Sequence, residues 1–357
     1  MIYSGRWTEQ EEMLAVTGKT MNRPGRNQAD NNTTGSGVMS FIPKYEDVES
    51  AVRLISAHVH RTPVLTSGQL DVISGARLFF KCENFQKVGA FKFRGATNAV
   101  LNLTDGQRAA GVVTHSSGNH AAALAHAAAM RGVKAYIVMP SSAPEVKKRA
   151  VAGYGAEITF CEPTLAAREA AAAEVIGRTG ATMIHPYDNF FIIAGQGTAA
   201  KELLEEMPEP DAVLTPVGGG GLLSGSAIAV RHLAPKAKIY GAEPLLADDA
   251  ARSLRAGAIQ PALPPRTIAD GLLTSLCERT FTVIKENVDD ILTVTEDQII
   301  EAMALIWTRM KIVAEPSSAV PLAAVLANRE LFAGKTVGII VSGGNADLSH
   351  LPFGQHA

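Results

Sequence analysis

The sequence predicts an α/β fold built on mostly parallel sheets, and three observations carry the prediction. Short apolar runs alternate with Ala-rich helical stretches, the connections between them are small, and turns rich in Gly, Ser and Asn recur where an apolar run ends. In chain order the expected strands are "ARLFFKC" (76–82), "GVVTH" (111–115), "KAYIVMP" (134–140), "AEITF" (156–160), "DAVLTPV" (211–217), "KIYGAE" (238–243) and "TVGIIVSGG" (336–344). Each is too short and too apolar to be a surface helix. Between them "HAAALAHAAAMRG", "TLAAREAAAAEVIGRTG" and "TAAKELLEEM" read as helices, because alanine and straight-chain residues lose little freedom in that conformation. Strand and helix in alternation imply parallel sheets covered on both faces.

At 357 residues and 46% hydrophobic, the chain can bury two modest cores or one large one. Thirty-three basic residues against 35 acidic leave a net charge of −2, so no overall basic field draws nucleic acid. Cys82, Cys161 and Cys277 are odd in number, widely spaced and without metal-ligand spacing, which argues for a reducing compartment rather than a disulfide framework. No apolar run reaches the length of a membrane span and no secretory signal opens the chain; a cytoplasmic protein is expected. Residues 1–38, with "NRPGRNQADNNTTGSG", are polar and turn-rich, so they read as a disordered tail, and Met39 is a candidate native start.

Four stretches carry chemistry. In "ENFQKVGAFKFRGATNAV" (83–100), Lys92 sits between Phe91 and Phe93, and a lysine that loses water tends to shed its proton and become a nucleophilic amine. Gly218, Gly219, Gly220 and Gly221 follow "DAVLTPV" and open the apparent helix "LLSGSAIAVRHL". Consecutive glycines let backbone N–H groups curl around one anion at a helix start, and a phosphate is the natural guest. The motif is neither the nucleotide P-loop nor the dinucleotide fingerprint, and taken alone it is equally a flexible turn. "HSSGNH" (115–120) precedes a helix and by itself is better explained as a cap, though Ser117 and Asn119 suit a carboxylate and a polar ring substituent. "SGGN" closes the last strand with Ser342, a neutral hydroxyl donor.

An amine, a phosphate cradle and two polar turns on one α/β scaffold are what pyridoxal 5'-phosphate requires. The blocks "RTPVLTS", "ENFQKVGAFKFRGA", "SSGNHA", "IAGQGT", "VGGGGLLSG", "GAEP", "TIADG", "NVDDILTVTEDQI", "EPSSA" and "SGGN", in this order over residues 42–348, resemble the serine racemase, serine/threonine dehydratase and threo-3-hydroxyaspartate dehydratase group of fold-type II pyridoxal phosphate enzymes. The resemblance implies two open, twisted, mostly parallel sheets: a large cofactor domain of residues 39–107 and 187–357, and a small mobile domain of 108–186. It implies that Lys92 bonds the cofactor, that Phe91 flanks the ring, that Asn119 binds its phenolic oxygen, Gly218 to Leu222 its phosphate and Ser342 its pyridine nitrogen. Ser117, across the ring from Lys92, would be a second proton donor or acceptor.

By the same resemblance the substrate would meet Ser116, Ser117, Gly118, His120, Arg168, Tyr187 and Ser275. "HPYDN" at 185–189 is closer to hydroxyaspartate dehydratases than to animal serine racemases, and a β-carboxylate would call for a cation such as Arg168; a solvent-facing arginine is the plain alternative. Glu243, the Ala247 carbonyl and Asp249 in "GAEPLLADDA" suit a hard divalent cation, Mg2+ with Ca2+ or Mn2+ as alternatives; on spacing alone they read as a solvated acidic loop. Two departures stand out: Ala122 replaces a glutamine common among relatives, and no regulatory module follows "SGGNADL", so end-product feedback is not expected. The expectation is a homodimeric β-hydroxy amino acid dehydratase, with serine racemase as the runner-up. A β-replacement enzyme of the cysteine synthase type and a catalytically dead binding homologue fit less well.

Overall fold

The computed structural model describes residues 42–353 apart from 117, 144 and 265, so the expected tail, Met39 and Ser117 lie outside the described residues. In chain order the strands are β1 (Val64–Leu65), β2 (Arg77–Cys82), β3 (Val112–His115), β4 (Ala135–Pro140), β5 (Glu157–Cys161), β6 (Thr182–Met183), β7 (Ala212–Pro216), β8 (Lys238–Pro244), β9 (Asp290–Val294) and β10 (Thr336–Val341). They form a six-stranded sheet, ordered β1-β2-β10-β7-β8-β9, and a four-stranded sheet, ordered β5-β4-β3-β6. Every pairing is parallel except β1 with β2. All seven expected strands form. The strands not singled out, β1, β6 and β9, are either two residues long or half polar ("DILTV"), too weak to stand out as apolar runs.

Alternate residues of each strand point to opposite faces, and both faces are buried. Val337, Ile339 and Val341 join a core with Leu78, Phe80 and Leu322, whereas Ile340 joins another on the far side with Val213, Ile239 and Leu223. In the smaller sheet, Val112, Ile137 and Met139 share one core, while Val113, Tyr136 and Val138 share another. Burial on both sides is why these strands read as continuous apolar runs.

The helix expected from "TAAKELLEEM" begins earlier, at Phe190, because Asn189 Oδ1 accepts from the N–H groups of Phe191 and Ile192 at 2.9 and 3.1 Å. It runs to Glu206 and crosses the helix Gly221–Leu233 with backbones almost touching: a Cβ on Gly197 would lie 2.7 Å from the Gly225 carbonyl oxygen. Only glycine permits that approach. Among the described residues no helix is long and apolar enough to cross a membrane.

Candidate active site

The strand order sets the site. β10 lies between β2 and β7, so three turns far apart in sequence leave the carboxyl ends of adjacent parallel strands, where ligands of open α/β sheets bind. β2 leads through short turns to Lys92, β10 runs into Ser342, and β7 runs into Gly218–Gly221. An antiparallel bridge joins Ala90 to Gly343, and the Phe91 N–H donates to the Ser342 carbonyl at 2.9 Å. β3 delivers the fourth turn from the other sheet. Asn119, the first residue of the helix Asn119–Ala129, reaches across it and accepts from Asn345 Nδ2 at 2.9 Å.

Lys92 opens the helix Lys92–Leu101, half-buried, where aligned backbone dipoles disfavour a cation. Its Nζ donates to the Pro186 carbonyl at 2.9 Å and lies 5.1 Å from the centre of the Phe91 ring. Among the described residues no carboxylate pairs with it. Loss of water draws its pKa down to about 8, and the more distant Glu315 charge opposes that fall. At neutral pH about a tenth of such an amine is unprotonated, far more than for an exposed lysine.

The glycine turn is shaped for an anion. Among the described residues the N–H groups of Gly218 to Leu222 find no hydrogen-bond acceptor, and such donors at a helix start attract negative charge. Gly220 has φ 86°, the left-handed region that glycine enters without strain. The Tyr187 ring packs on Gly219 so tightly that a Cβ there would sit 2.3 Å from Tyr187 Cδ1. The structure therefore places Tyr187 against the glycine turn. These features fit a phosphorylated cofactor.

Ser342 is buried, its Oγ 3.0 Å from Ser318 Oγ, and Ser318 also bonds the Gly343 N–H and carbonyl at 2.7 and 2.6 Å. Among the described residues the Ser342 hydroxyl bonds no carboxylate. Asn119 Nδ2 donates to both oxygens of Glu315, at 2.9 and 3.1 Å. Glu315 is only 4% exposed, and burial pushes its carboxyl up to about 7, against the pull of the Asn119 hydrogen bond.

Of the expected substrate contacts, Ser116 and Gly118 lie in the turn before Asn119, with the Gly118 N–H 3.4 Å from Ser116 Oγ. His120 is buried, and its Nε2 must donate to the Ile184 carbonyl 3.0 Å away, which leaves Nδ1 as an acceptor without a partner. Burial, helped by the Lys92 charge, holds its pKa down to about 3, so the ring is neutral. Arg168, on the helix Leu165–Thr179, makes only a long contact to its own Thr164 carbonyl at 3.4 Å, and its charge reaches His115. Burial raises the Asp249 carboxyl's pKa, and the nearby Ser275 hydroxyl opposes that rise.

Glu243 and Asp249 are both buried, neither is paired with a cation among the described residues, and Ala247 lies between them. Glu243 accepts from the Ala250 and Ala251 N–H groups at 3.1 and 2.9 Å, and burial pushes its carboxyl up to about 8. Asp249 Oδ2 is buried with no partner. Among the described residues no three His, Cys, Asp or Glu side chains cluster for a metal, so any ion here would need carbonyl and water ligands besides two carboxylates.

Sequence reasoning passed over Glu315, Asn345 and His185. His185 Nδ1 accepts from the Asp188 N–H at 2.9 Å, and its ring meets His115 and Tyr187 edge-on at 5.5 and 4.6 Å. The signal for Glu315 was an acid directly before the "PSSA" helix, a position that also describes an ordinary exposed helix start.

A family model described as "Pyridoxal-phosphate dependent enzyme" matches residues 55–343. The beta-hydroxyaspartate dehydratase of Paracoccus denitrificans is 52% identical over 313 residues, covering 88% of this chain and 99% of that protein. The L-threo-3-hydroxyaspartate ammonia-lyase of Saccharomyces cerevisiae is 50% identical over 309 residues, covering 86% and 95%. The crystal structure of serine racemase from Dictyostelium discoideum superposes with a TM-score of 0.82 at 51% identity, covering 85% of this chain and 99% of that one.

Proposed function

The chain belongs to the pyridoxal-phosphate dependent enzyme family, and from that membership we propose that it is a dehydratase of the ammonia-lyase type, converting a β-hydroxy amino acid to a 2-oxo acid and ammonia. threo-3-Hydroxyaspartate leads the substrate candidates, with L-serine and L-threonine behind it. One observation carries the reading: Lys92, a half-buried amine without an acidic partner, opens onto the same sheet edge as five unsatisfied N–H groups and the Ser342 hydroxyl.

The cofactor, when bound, supplies an electron sink conjugated with the substrate's α-carbon. Lys92 would hold it through Nζ, and the free Nζ amine would take the proton from the substrate Cα. The N–H groups of Gly218 to Leu222 bind the phosphate, Asn119 Nδ2 donates to the ring oxygen, and Phe91 flanks the ring. Ser342 would offer the ring nitrogen a neutral hydroxyl, which would hold less positive charge there than a carboxylate and so favour loss of the β-hydroxyl. Arg168 meets the substrate's β-carboxylate, and the neutral His120 lines the pocket.

Glu243, the Ala247 carbonyl and Asp249 take a divalent cation, Mg2+ first; two buried carboxylates without a counter-charge and an unpartnered Asp249 oxygen support that assignment. Residues 108–186 move as a small domain over the substrate, and the working enzyme is a homodimer. A serine racemase activity is the second reading, favoured by the likeness to the Dictyostelium protein, with Ser117 as the second proton-exchanging group. The deciding experiment incubates the enzyme with L- and D-hydroxy amino acids and measures 2-oxo acid release beside chiral analysis of remaining serine. Release from threo-3-hydroxyaspartate exceeding serine inversion is expected; inversion without release would replace the first reading by the second.

A further inference from the structure

An asparagine can present either end of its amide, and the bonds around Asn119 decide which. Asn345 Nδ2 donates to the Val88 carbonyl at 2.8 Å and to Asn119 Oδ1 at 2.9 Å. The nitrogen of Asn119 is thereby turned to both oxygens of Glu315, at 2.9 and 3.1 Å. Reversing the Asn119 amide would set its oxygen against a carboxylate and its nitrogen against a donor, so the orientation is forced. Glu315 is held from behind by the Asn345 N–H at 3.1 Å, and Gly343 packs so close that a Cβ there would lie 2.8 Å from Glu315 Oε1. Among the described residues no cation forms an ion pair with Glu315, and the Asn119 amide is the side-chain donor that meets both its oxygens.

We infer that Glu315 is a positioning residue: with Asn345 behind it, its carboxylate locks the Asn119 amide so that the second N–H proton is aimed at the cofactor's ring oxygen and stabilises that oxygen as an anion. The inference rests on the reading that Asn119 meets the ring oxygen. The arrangement also spans the two sheets, since Asn119 follows β3 whereas Glu315 and Asn345 flank β10. A glutamine at 315 removes the charge and presents its own N–H2 group as a rival donor, so the Asn119 amide keeps only the Asn345 bond to orient it and loses its charged acceptor.

The test compares Glu315→Gln, Glu315→Asp and Asn119→Ala by three readouts: the absorption spectrum of the bound cofactor without substrate, the Kd of apoprotein for pyridoxal phosphate, and the urea midpoint. Glu315→Gln should keep the parent's urea midpoint, shift the balance of absorption bands as Asn119→Ala does, and weaken cofactor binding about tenfold, the scale of one charge-assisted hydrogen bond. The double variant should bind no worse than Asn119→Ala alone. A parent-like spectrum and Kd in Glu315→Gln, with both changed in Asn119→Ala, overturns the inference and leaves the Asn119 reading standing. No change in Asn119→Ala overturns both. If Glu315→Gln does not fold, Glu315→Asp carries the test, since it withdraws the charge by one methylene; the same spectral shift supports the inference and a parent-like spectrum refutes it.

Discussion

The Arg94 guanidinium meets the Glu83 carboxylate at two points, Nε to Oε2 at 2.7 Å and Nη2 to Oε1 at 2.8 Å, with neither side chain exposed to solvent. Arg94 lies two residues after Lys92, and its remaining donors reach Glu202 at 2.8 and 2.7 Å. Lys81 pairs with the same Glu202 at 2.7 Å, so two cations and two carboxylates neutralise one another in the interior. Arg94→Leu leaves two buried carboxylates facing one lysine. It should cost about 3–5 kcal/mol in urea unfolding, because removing one partner strands the other's charge away from water. A loss below about 1 kcal/mol would show that the site can rehydrate.

Only the neutral Lys92 amine attacks an aldehyde. With its pKa drawn down to about 8 by burial, the rate at which apoprotein takes up pyridoxal phosphate should climb as pH rises and level off above about 8. Stopped-flow absorbance across pH 6 to 10 measures it. A midpoint near the ordinary lysine value of 10.5 would mean the amine is solvated.

Gly219→Ala drives a methyl into the Tyr187 ring, 2.3 Å from Cδ1. Cofactor affinity should fall by about tenfold or more, since such overlap moves the turn we propose holds the phosphate. Trimming Tyr187 to alanine in the same chain should restore part of the loss. Additive losses would place the damage in the backbone instead.

Mg2+ should stabilise the protein if Glu243, Ala247 and Asp249 take it. A hundredfold excess over Kd supplies about 2.7 kcal/mol, enough to raise Tm by about 4 °C or more. Calcium and manganese serve as parallel arms, and a chelator should reverse each shift. In Asp249→Asn the rise should vanish while the ion-free Tm stays near the parent's; a persisting rise would locate the ion elsewhere.

Arg168 has no acidic partner among the described residues, so its charge is free for a ligand. Arg168→Ala should raise KM for threo-3-hydroxyaspartate by about tenfold or more while leaving serine within about twofold, because only the former carries a second carboxylate. Equal effects on both substrates would make Arg168 a general scaffold residue.

The alternation of strands and helices, the odd lysine at 92 and the three Gly-, Ser- and Asn-rich turns were legible in the chain because each depends on neighbours a few residues away: turn chemistry, helix propensity and the apolar character of doubly covered strands. Even there, β6 and β9 escaped notice, since sheet pairing rather than composition makes them strands. Folding in three dimensions decided the rest. It put β10 between β2 and β7, so that residues 92, 218–221 and 342 share one edge, and it set Tyr187 on the glycines and Glu315 behind Asn119. A carboxylate's burial, its protonation and the way an amide faces are settled by partners hundreds of positions away, and no local pattern of residues encodes them.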